Sequence, residues 1–192
     1  LQSRGLGDVY KRQHKEVYML TNSSCGFNLL KKETISNDNS YTIALAGNPN
    51  VGKSTIFNNL TGMHQHTGNW PGKTVANASG HCYFKNADFL FIDIPGTYSI
   101  MSCSEEEEIA RNYICFEKPN ATIIVLDATC LERNLNLVFQ IMEITPNIIV
   151  CVNLLDEAKS KKISIDLSKL SHLLGVAVVR NYCSVSYTHL RA

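Results

Sequence analysis

Residues 47–54, with the sequence GNPNVGKS, match the pattern G-x-x-x-x-G-K-[ST] of a phosphate-binding loop. Glycines in such a loop let backbone N–H groups turn towards phosphates, Lys53 reaches the β and γ phosphates, and Ser54 offers a hydroxyl to Mg²⁺. A glycine-rich turn without a ligand is the alternative. The flanking strand and helix patterns favour a nucleotide site, so we expect contacts from Gly47, Asn48, Pro49, Asn50, Val51, Gly52, Lys53, Ser54 and Thr55.

A second motif, DIPG at residues 93–96, directly follows an apolar run of strand length. A carboxylate at the end of a strand can hold Mg²⁺ through water, which is the role we predict for Asp93. Gly96 can bring its backbone N–H close to a γ phosphate. Strand ends often carry turn residues, but this motif stands at the correct order and distance from the phosphate-binding loop.

A third motif, NLLD at residues 153–156, also follows an apolar run. The carboxylate of Asp156 can accept hydrogen bonds from guanine N1–H and the exocyclic amine, and adenine cannot make this pair, so the motif predicts GTP rather than ATP. We expect Asn153 to brace the loop and touch the base. Leu154 stands where this motif usually has lysine. As an alternative, Asp156 only caps the next helix.

Strand and helix patterns alternate along the body of the chain, which predicts an α/β fold with helices on both faces of a sheet. We predict strands at residues 42–46, 76–84, 89–92, 121–126, 147–152 and 176–179 and helices at residues 53–60, 105–116, 131–143 and 167–174. The short polar link around Asn86 predicts one antiparallel strand pair. With the phosphate-binding loop, this is the three-layer P-loop NTPase fold of Ras-like GTPases, with about six strands in a mostly parallel sheet.

Composition limits the other function classes. The 192 residues include 18 basic and 17 acidic side chains, so a nucleic-acid partner is not expected. The longest apolar runs are strand-length and too short to cross a bilayer. Residues 1–13 and 185–192 resemble translated sequencing-adapter segments, which leaves a flexible lead-in at 14–40 and a GTP-binding domain at 41–184.

The segment HQHTGNWPGKTV, residues 64–75, lies between the first two motifs. It resembles the first switch of the FeoB family of ferrous-iron transport proteins, in which GNWPG-x-TV follows a phosphate loop reading GNPN-x-GK. The resemblance continues through DIPGTYS, the acidic residues 105–108, NLLDEA and LLGVAVV. It covers residues 41 to about 179, and it identifies the chain as similar to the GTP-binding domain of that family.

The resemblance implies further roles at matching positions. Thr74 corresponds to the switch threonine, which would join Ser54 and Asp93 on Mg²⁺, and its neighbours Gly72 and Lys73 would also contact GTP. Asn50 corresponds to an asparagine that holds K⁺ in potassium-activated relatives, with Asn69 and Trp70 completing the site. The residues expected to act in catalysis are Lys53, Thr74, Gly96 and Asn50. Thr97 replaces the water-positioning glutamine of Ras-like proteins, which predicts slow hydrolysis.

The resemblance also implies a GTPase that binds GTP or GDP with Mg²⁺ and K⁺ and acts as a switch for Fe²⁺ uptake at the cytoplasmic face of a membrane. Its implied partners are the helical regulatory and transmembrane parts of the same protein, a small FeoA-type protein, and further copies of the full-length protein. Two alternatives are an Era-like GTPase of ribosome or tRNA maturation and a GTP-binding module with negligible hydrolysis. The spacing of His64, His66, His81 and Cys82 matches no standard iron site.

Overall fold

A seven-stranded sheet lies at the centre of the computed structural model, which describes residues 40–62, 65–101 and 104–181. The strand order is β2-β3-β4-β1-β5-β6-β7. The strands are β1 (Ser40–Gly47), β2 (Gln65–Asn69), β3 (Ala76–Phe84), β4 (Ala87–Asp93), β5 (Ala121–Asp127), β6 (Ile148–Asn153) and β7 (Ala177–Arg180). Both terminal segments, nearly all of the lead-in and His64 lie outside the described residues.

The sheet is parallel from β4 through β7, and β3 alone is reversed, pairing antiparallel with β2 and with β4. The prediction of a mostly parallel sheet with one antiparallel strand is therefore confirmed. Strands β5 and β6 are apolar along nearly their whole length because both faces of a parallel sheet are covered. All five parallel strands end at the same edge of the sheet, and their carboxyl ends carry the three motifs.

The predicted antiparallel link between β3 and β4 is a two-residue turn. Lys85 and Asn86 both have positive φ, 46° and 62°, as such a hairpin turn requires. Strand β2 is a seventh strand that the sequence analysis did not predict. Its sequence QHTGN has only one residue of the type that identifies strands, the β-branched Thr67, and pairing with β3 holds it in the sheet.

The α-helices that the described residues form beside the sheet are α1 (Lys53–Thr61), α2 (Glu105–Asn112), α3 (Leu131–Met142), α4 (Leu155–Ser160) and α5 (Leu167–Leu174). The bounds predicted for α5 are confirmed, including Asp166 as its N-cap and Gly175 at its end. The helix predicted at residues 105–116 is α-helical only over α2 and continues as a π-helix, Tyr113–Glu117. The sequence analysis did not predict α4.

Helices cover both faces of the sheet and complete the three layers. On one face, Ile56 and Phe57 of α1 pack on β1, β4 and β5. On the other face, side chains of α2, α3, α4 and α5 form the larger core with the opposite sides of the strands. Within the described part of the chain, no helix has the length and apolar character needed to span a bilayer.

Candidate nucleotide-binding site

The phosphate-binding loop connects β1 to α1. Asn50 and Gly52 both adopt left-handed backbone conformations, with φ of 66° and 82°, and Gly52 is the N-cap of α1. A Cβ atom built on Gly47 would lie 2.8 Å from the backbone oxygen of Val125, so only glycine fits there. The loop therefore turns tightly around the N-terminus of α1, where free backbone N–H groups favour an anion.

Lys53, the first residue of α1, forms an ion pair with Asp93 at the end of β4. Strand β4 lies beside β1, with Asp93 in register with Leu45, so the second motif is placed next to the phosphate-binding loop. The two side chains are only 9% and 15% exposed, and the charges therefore face each other at the base of the site. The structure brings together the two residues for which we predicted phosphate and Mg²⁺ contacts.

The loop after β4 packs directly on the phosphate-binding loop. The backbone N–H of Thr97 donates a hydrogen bond to the carbonyl oxygen of Gly47, at 3.1 Å. A Cβ atom on Gly96 would lie 3.3 Å from the backbone N and Cα of Pro49, so a larger residue would push the loops apart. This close approach places the Gly96 backbone against the phosphate-binding loop, and Thr97 itself is buried.

Asn153, at the end of β6, joins the third motif to the same loop. Its Nδ2 donates to the carbonyl oxygen of Val51, at 2.9 Å, and its side chain is buried. A Cβ atom on Gly52 would lie 2.4 Å from this Nδ2, so glycine is what allows the contact. All three motifs therefore meet at one edge of the sheet.

The third motif ends with Asp156 in the first turn of α4. Leu154, with φ of 59°, is the N-cap of this helix, and no side chain caps it. Asp156 is therefore not the N-cap, but it lies in the first turn, where an acid favours the helix, and its contact with guanine stays a prediction. The side chain of Asp156 is exposed, so its carboxylate is accessible to a base. Leu154 holds a strained left-handed backbone at the position where the motif usually has lysine.

The predicted switch residues lie in the turn between β2 and β3. The backbone N–H of Trp70 donates to the Val75 carbonyl at 2.9 Å, and that of Lys73 donates to the Trp70 carbonyl at 3.0 Å. Gly72 has φ of 70°, so Pro71 and Gly72 occupy the central positions of a turn that needs glycine second. We call residues 70–75 the switch turn.

The switch turn docks on α2 and the π-helix through three side chains. The Trp70 ring meets the Tyr113 ring edge-on at 5.4 Å, while Lys73 forms a 3.0 Å ion pair with Glu108. Thr74 Oγ1 donates to Glu105 Oε2 at 3.4 Å. Lys73 and Thr74 therefore contact α2 in this structure, and their contacts to GTP and Mg²⁺ stay predictions.

The docking of the switch turn on α2 and the π-helix is accompanied by shifted pKa values for three side chains. The hydrogen bond and charge of Glu108 raise the pKa of Lys73 above 10.5, and Lys73 in turn lowers the pKa of Glu108 below 4.5. Burial raises the pKa of Tyr113 to about 12. The ion pair of the switch turn is therefore fully charged at neutral pH.

The donor set at the edge of the sheet suits Mg²⁺, a hard cation that prefers oxygen ligands. Ser54 offers an exposed hydroxyl, and Asp93 offers a carboxylate that Lys53 already holds in place. Asn48, in the same loop, has both side-chain polar atoms buried, and no described residue is a hydrogen-bond partner for them. A buried amide without partners is costly, so the loop retains unused hydrogen-bonding capacity for a polar ligand.

The positions predicted for K⁺ lie on two separate segments of the chain. Asn50 lies in the phosphate-binding loop, and Asn69 ends β2 with Trp70 following it, so the K⁺ site formed by these three stays a prediction. His81 contacts Asp88 at 3.0 Å. Within residues 40–62, 65–101 and 104–181, no group of three or more histidine, cysteine, aspartate or glutamate side chains is arranged to hold a metal ion.

Three residues near the site were not predicted from the sequence. Glu105 and Glu108 contact the switch turn, and Asn181 donates from Nδ2 to Asn153 Oδ1 at 3.0 Å. The acidic run at residues 105–108 identified a helix start, and nothing in its pattern distinguished the two acids that contact the turn. Asn181 lies in RNYC, which fits poorly the small Ser/Thr-Ala element usual after the last strand.

The fold and the convergence of the three loops define the class of protein as a P-loop NTPase with the architecture of a G domain. A family model described as ferrous iron transport protein B, FeoB_N, matches residues 41–188. The chain belongs to this family.

Known relatives agree with that assignment. The Fe(2+) transporter FeoB of Methanocaldococcus jannaschii is 54% identical over 104 residues, which are 54% of this chain and 16% of the relative. A crystal structure of the G domain of the T. maritima FeoB iron transporter is 40% identical with a TM-score of 0.70, covering 73% of this chain and 86% of that one. The cytosolic domain of the same transporter in its GMPPNP form is 40% identical with a TM-score of 0.70, covering 73% and 56%.

Proposed function

We propose that residues 41–184 form a domain that binds GTP and hydrolyses it slowly, and that this domain is the switch of a ferrous-iron transporter. The observation that carries the proposal is the hydrogen bond from Asn153 to Val51, because it fixes the base-reading motif to the phosphate-binding loop. The Lys53–Asp93 ion pair also supports the proposal, because it joins the second motif to the phosphate-binding loop. Family membership favours this proposal over the Era-like alternative.

Guanine recognition is assigned to Asp156. Its carboxylate is exposed on the first turn of α4, close in sequence to the buried Asn153 that holds the loop in place. An adenine base there would leave the carboxylate without its two donors, which is why the site favours GTP and GDP. The solved relative in a GMPPNP form binds a guanine nucleotide analogue, and this supports the same ligand here.

The phosphates are assigned to the backbone N–H groups of the loop and to Lys53. Ser54, Asp93 and Thr74 would hold Mg²⁺, which supplies neutralisation of negative charge between the β and γ phosphates. In this structure the Thr74 hydroxyl donates to Glu105, which leaves its oxygen lone pairs available to a cation. Gly96 donates its backbone N–H towards the γ phosphate.

Hydrolysis is expected to be slow because of Thr97. Thr97 occupies the position after Gly96 at which Ras-like proteins have a glutamine that orients water. Its side chain is buried, and its backbone N–H donates to the Gly47 carbonyl. We assign to Asn50, with the backbone near Asn69 and Trp70, a K⁺ ion that would offset charge developing in hydrolysis.

The role in transport is proposed for the whole protein, since the chain spans 16% of the length of its FeoB relative from M. jannaschii. The partners proposed are the helical regulatory and membrane-spanning parts of the same protein, a small FeoA-type protein and other copies of the full-length protein. The domain would then lie at the cytoplasmic face of the membrane.

Phosphate release from GTP, measured with the full chain in K⁺ and in Na⁺, tests the proposal. We expect slow release that K⁺ stimulates, and we expect the stimulation to be lost in Asn50→Ala and kept in Asn136→Ala, a control at an exposed position of α3. Equal rates in the two salts would contradict the K⁺ assignment. Tight GTP binding without measurable release in either salt would favour a GTP-binding module with negligible hydrolysis.

A further inference from the structure

Asn181 is held against the end of β6 by two hydrogen bonds. Its backbone N–H donates to the Val152 carbonyl at 2.9 Å, one residue beyond the last strand pair, and its side-chain Nδ2 donates to Asn153 Oδ1 at 3.0 Å. Asn153 makes a second hydrogen bond on its other side, where its own Nδ2 donates to the Val51 carbonyl. A continuous chain of hydrogen bonds therefore runs from the end of β7 to the phosphate-binding loop.

The two bonds at Asn153 determine the orientation of its amide. The carbonyl oxygen of Val51 can only accept, so Asn153 must present its NH₂ group to the phosphate-binding loop and its oxygen to Asn181. A donor at residue 181 matches that orientation, whereas an acceptor there would oppose it. The Asn153 side chain is buried, so water is a poor substitute for the missing donor.

The orientation of Asn153 matters for the residues that follow it. Leu154 has φ of 59°, an unfavourable conformation for a residue with a side chain, and the fixed amide before it helps to hold this turn. The turn begins α4 and so sets the position of Asp156 in its first turn. Through this path, a side chain directly after β7 acts on the carboxylate assigned to guanine.

We propose that Asn181 is a positioning residue for guanine recognition, which it supports by fixing the Asn153 amide between β7 and the phosphate-binding loop. The inference rests on the proposed function, because it concerns the reading of the base by Asp156. It assigns a function to the residue directly after the last strand, even though the sequence there departs from the usual one.

The test compares GDP with inosine diphosphate, which lacks the exocyclic amine that Asp156 would bind. Affinities for both are measured with the full chain and with Asn181→Asp, Asn181→Ala and Asn181→Ser. Asn181→Asp keeps the shape and replaces the donor with an acceptor, while Asn181→Ser keeps a hydroxyl donor. Asn136→Asp makes the same chemical change on the exposed face of α3 and serves as the control. Thermal melting without nucleotide confirms that each variant is folded.

We expect Asn181→Asp and Asn181→Ala to weaken GDP binding by roughly five- to thirty-fold, as expected for one buried hydrogen bond. The loss of affinity should be smaller for inosine diphosphate, so the preference for GDP over inosine diphosphate should decrease. Asn181→Ser should recover part of that preference. Unchanged affinities, or equal losses for both nucleotides, would overturn the inference and leave the proposed function intact. Failure of the unaltered chain to bind either nucleotide would instead overturn the proposed function and the inference together.

Discussion

Lys73 Nζ lies 3.0 Å from Glu108 Oε2, which joins the switch turn to the first turn of α2. Thr74, the next residue, contacts Glu105 on the same helix. Two neighbouring residues expected at the nucleotide are thus held by two acids one helical turn apart. A movement of the switch turn away from α2 would have to break both contacts.

Replacing Glu108 with glutamine should loosen the switch turn. The ion pair with Lys73 is lost, and since exposed ion pairs contribute modestly, we expect a roughly two-fold shift towards undocked conformations. Trp70 is the single tryptophan of the chain and contacts Tyr113, so quenching of its fluorescence by acrylamide should increase. Glu106→Gln, at an exposed neighbouring position, is the matched control. Equal quenching in the two variants would show that the ion pair does not hold the turn.

The ion pair between Lys73 and Glu108 should be insensitive to pH across the neutral range. The pKa of Glu108 lies below 4.5, so the contribution of this carboxylate is complete above that pH and is lost as pH falls through the lowered value. The pKa of Lys73 lies above 10.5, so its contribution is complete below that pH and is lost as pH rises through the raised value. The difference in quenching between the unaltered chain and Glu108→Gln should stay constant between these limits. A difference that disappears near neutral pH would contradict the assignment.

Gly52 should tolerate alanine much less well than Gly175 does. Both have left-handed backbones, with φ of 82° and 69°, so both substitutions cost strain of about 1–2 kcal/mol in the free energy of unfolding. A Cβ on Gly52 also collides with Asn153 Nδ2, whereas no atom of the described residues lies within 4 Å of one on Gly175. We expect Gly52→Ala to lose about 2–4 kcal/mol in urea denaturation. Equal losses would mean that the loop relaxes without disturbing Asn153.

The sequence predicted those parts of the fold and site that local chemistry determines. The phosphate-binding loop, the strand-end position of Asp93 and the caps of α5 each follow from residues close together in the chain. Strand β2 could not be predicted because its polar sequence is stabilised by pairing with β3. The contacts of Thr74 with Glu105 and of Asn153 with Asn181 join residues 31 and 28 positions apart, and no local pattern encodes them.

The most direct test of the account is to titrate the full chain and Asp156→Asn with GDP and with xanthosine diphosphate, in Mg²⁺, by calorimetry. Xanthine has a carbonyl where guanine has its exocyclic amine, so an asparagine NH₂ group can donate to it. We predict that the unaltered chain prefers GDP, and that Asp156→Asn loses roughly ten- to hundred-fold in GDP affinity and gains affinity for xanthosine diphosphate. A chain that binds neither nucleotide, or a variant with an unchanged preference for GDP, would contradict the guanine site.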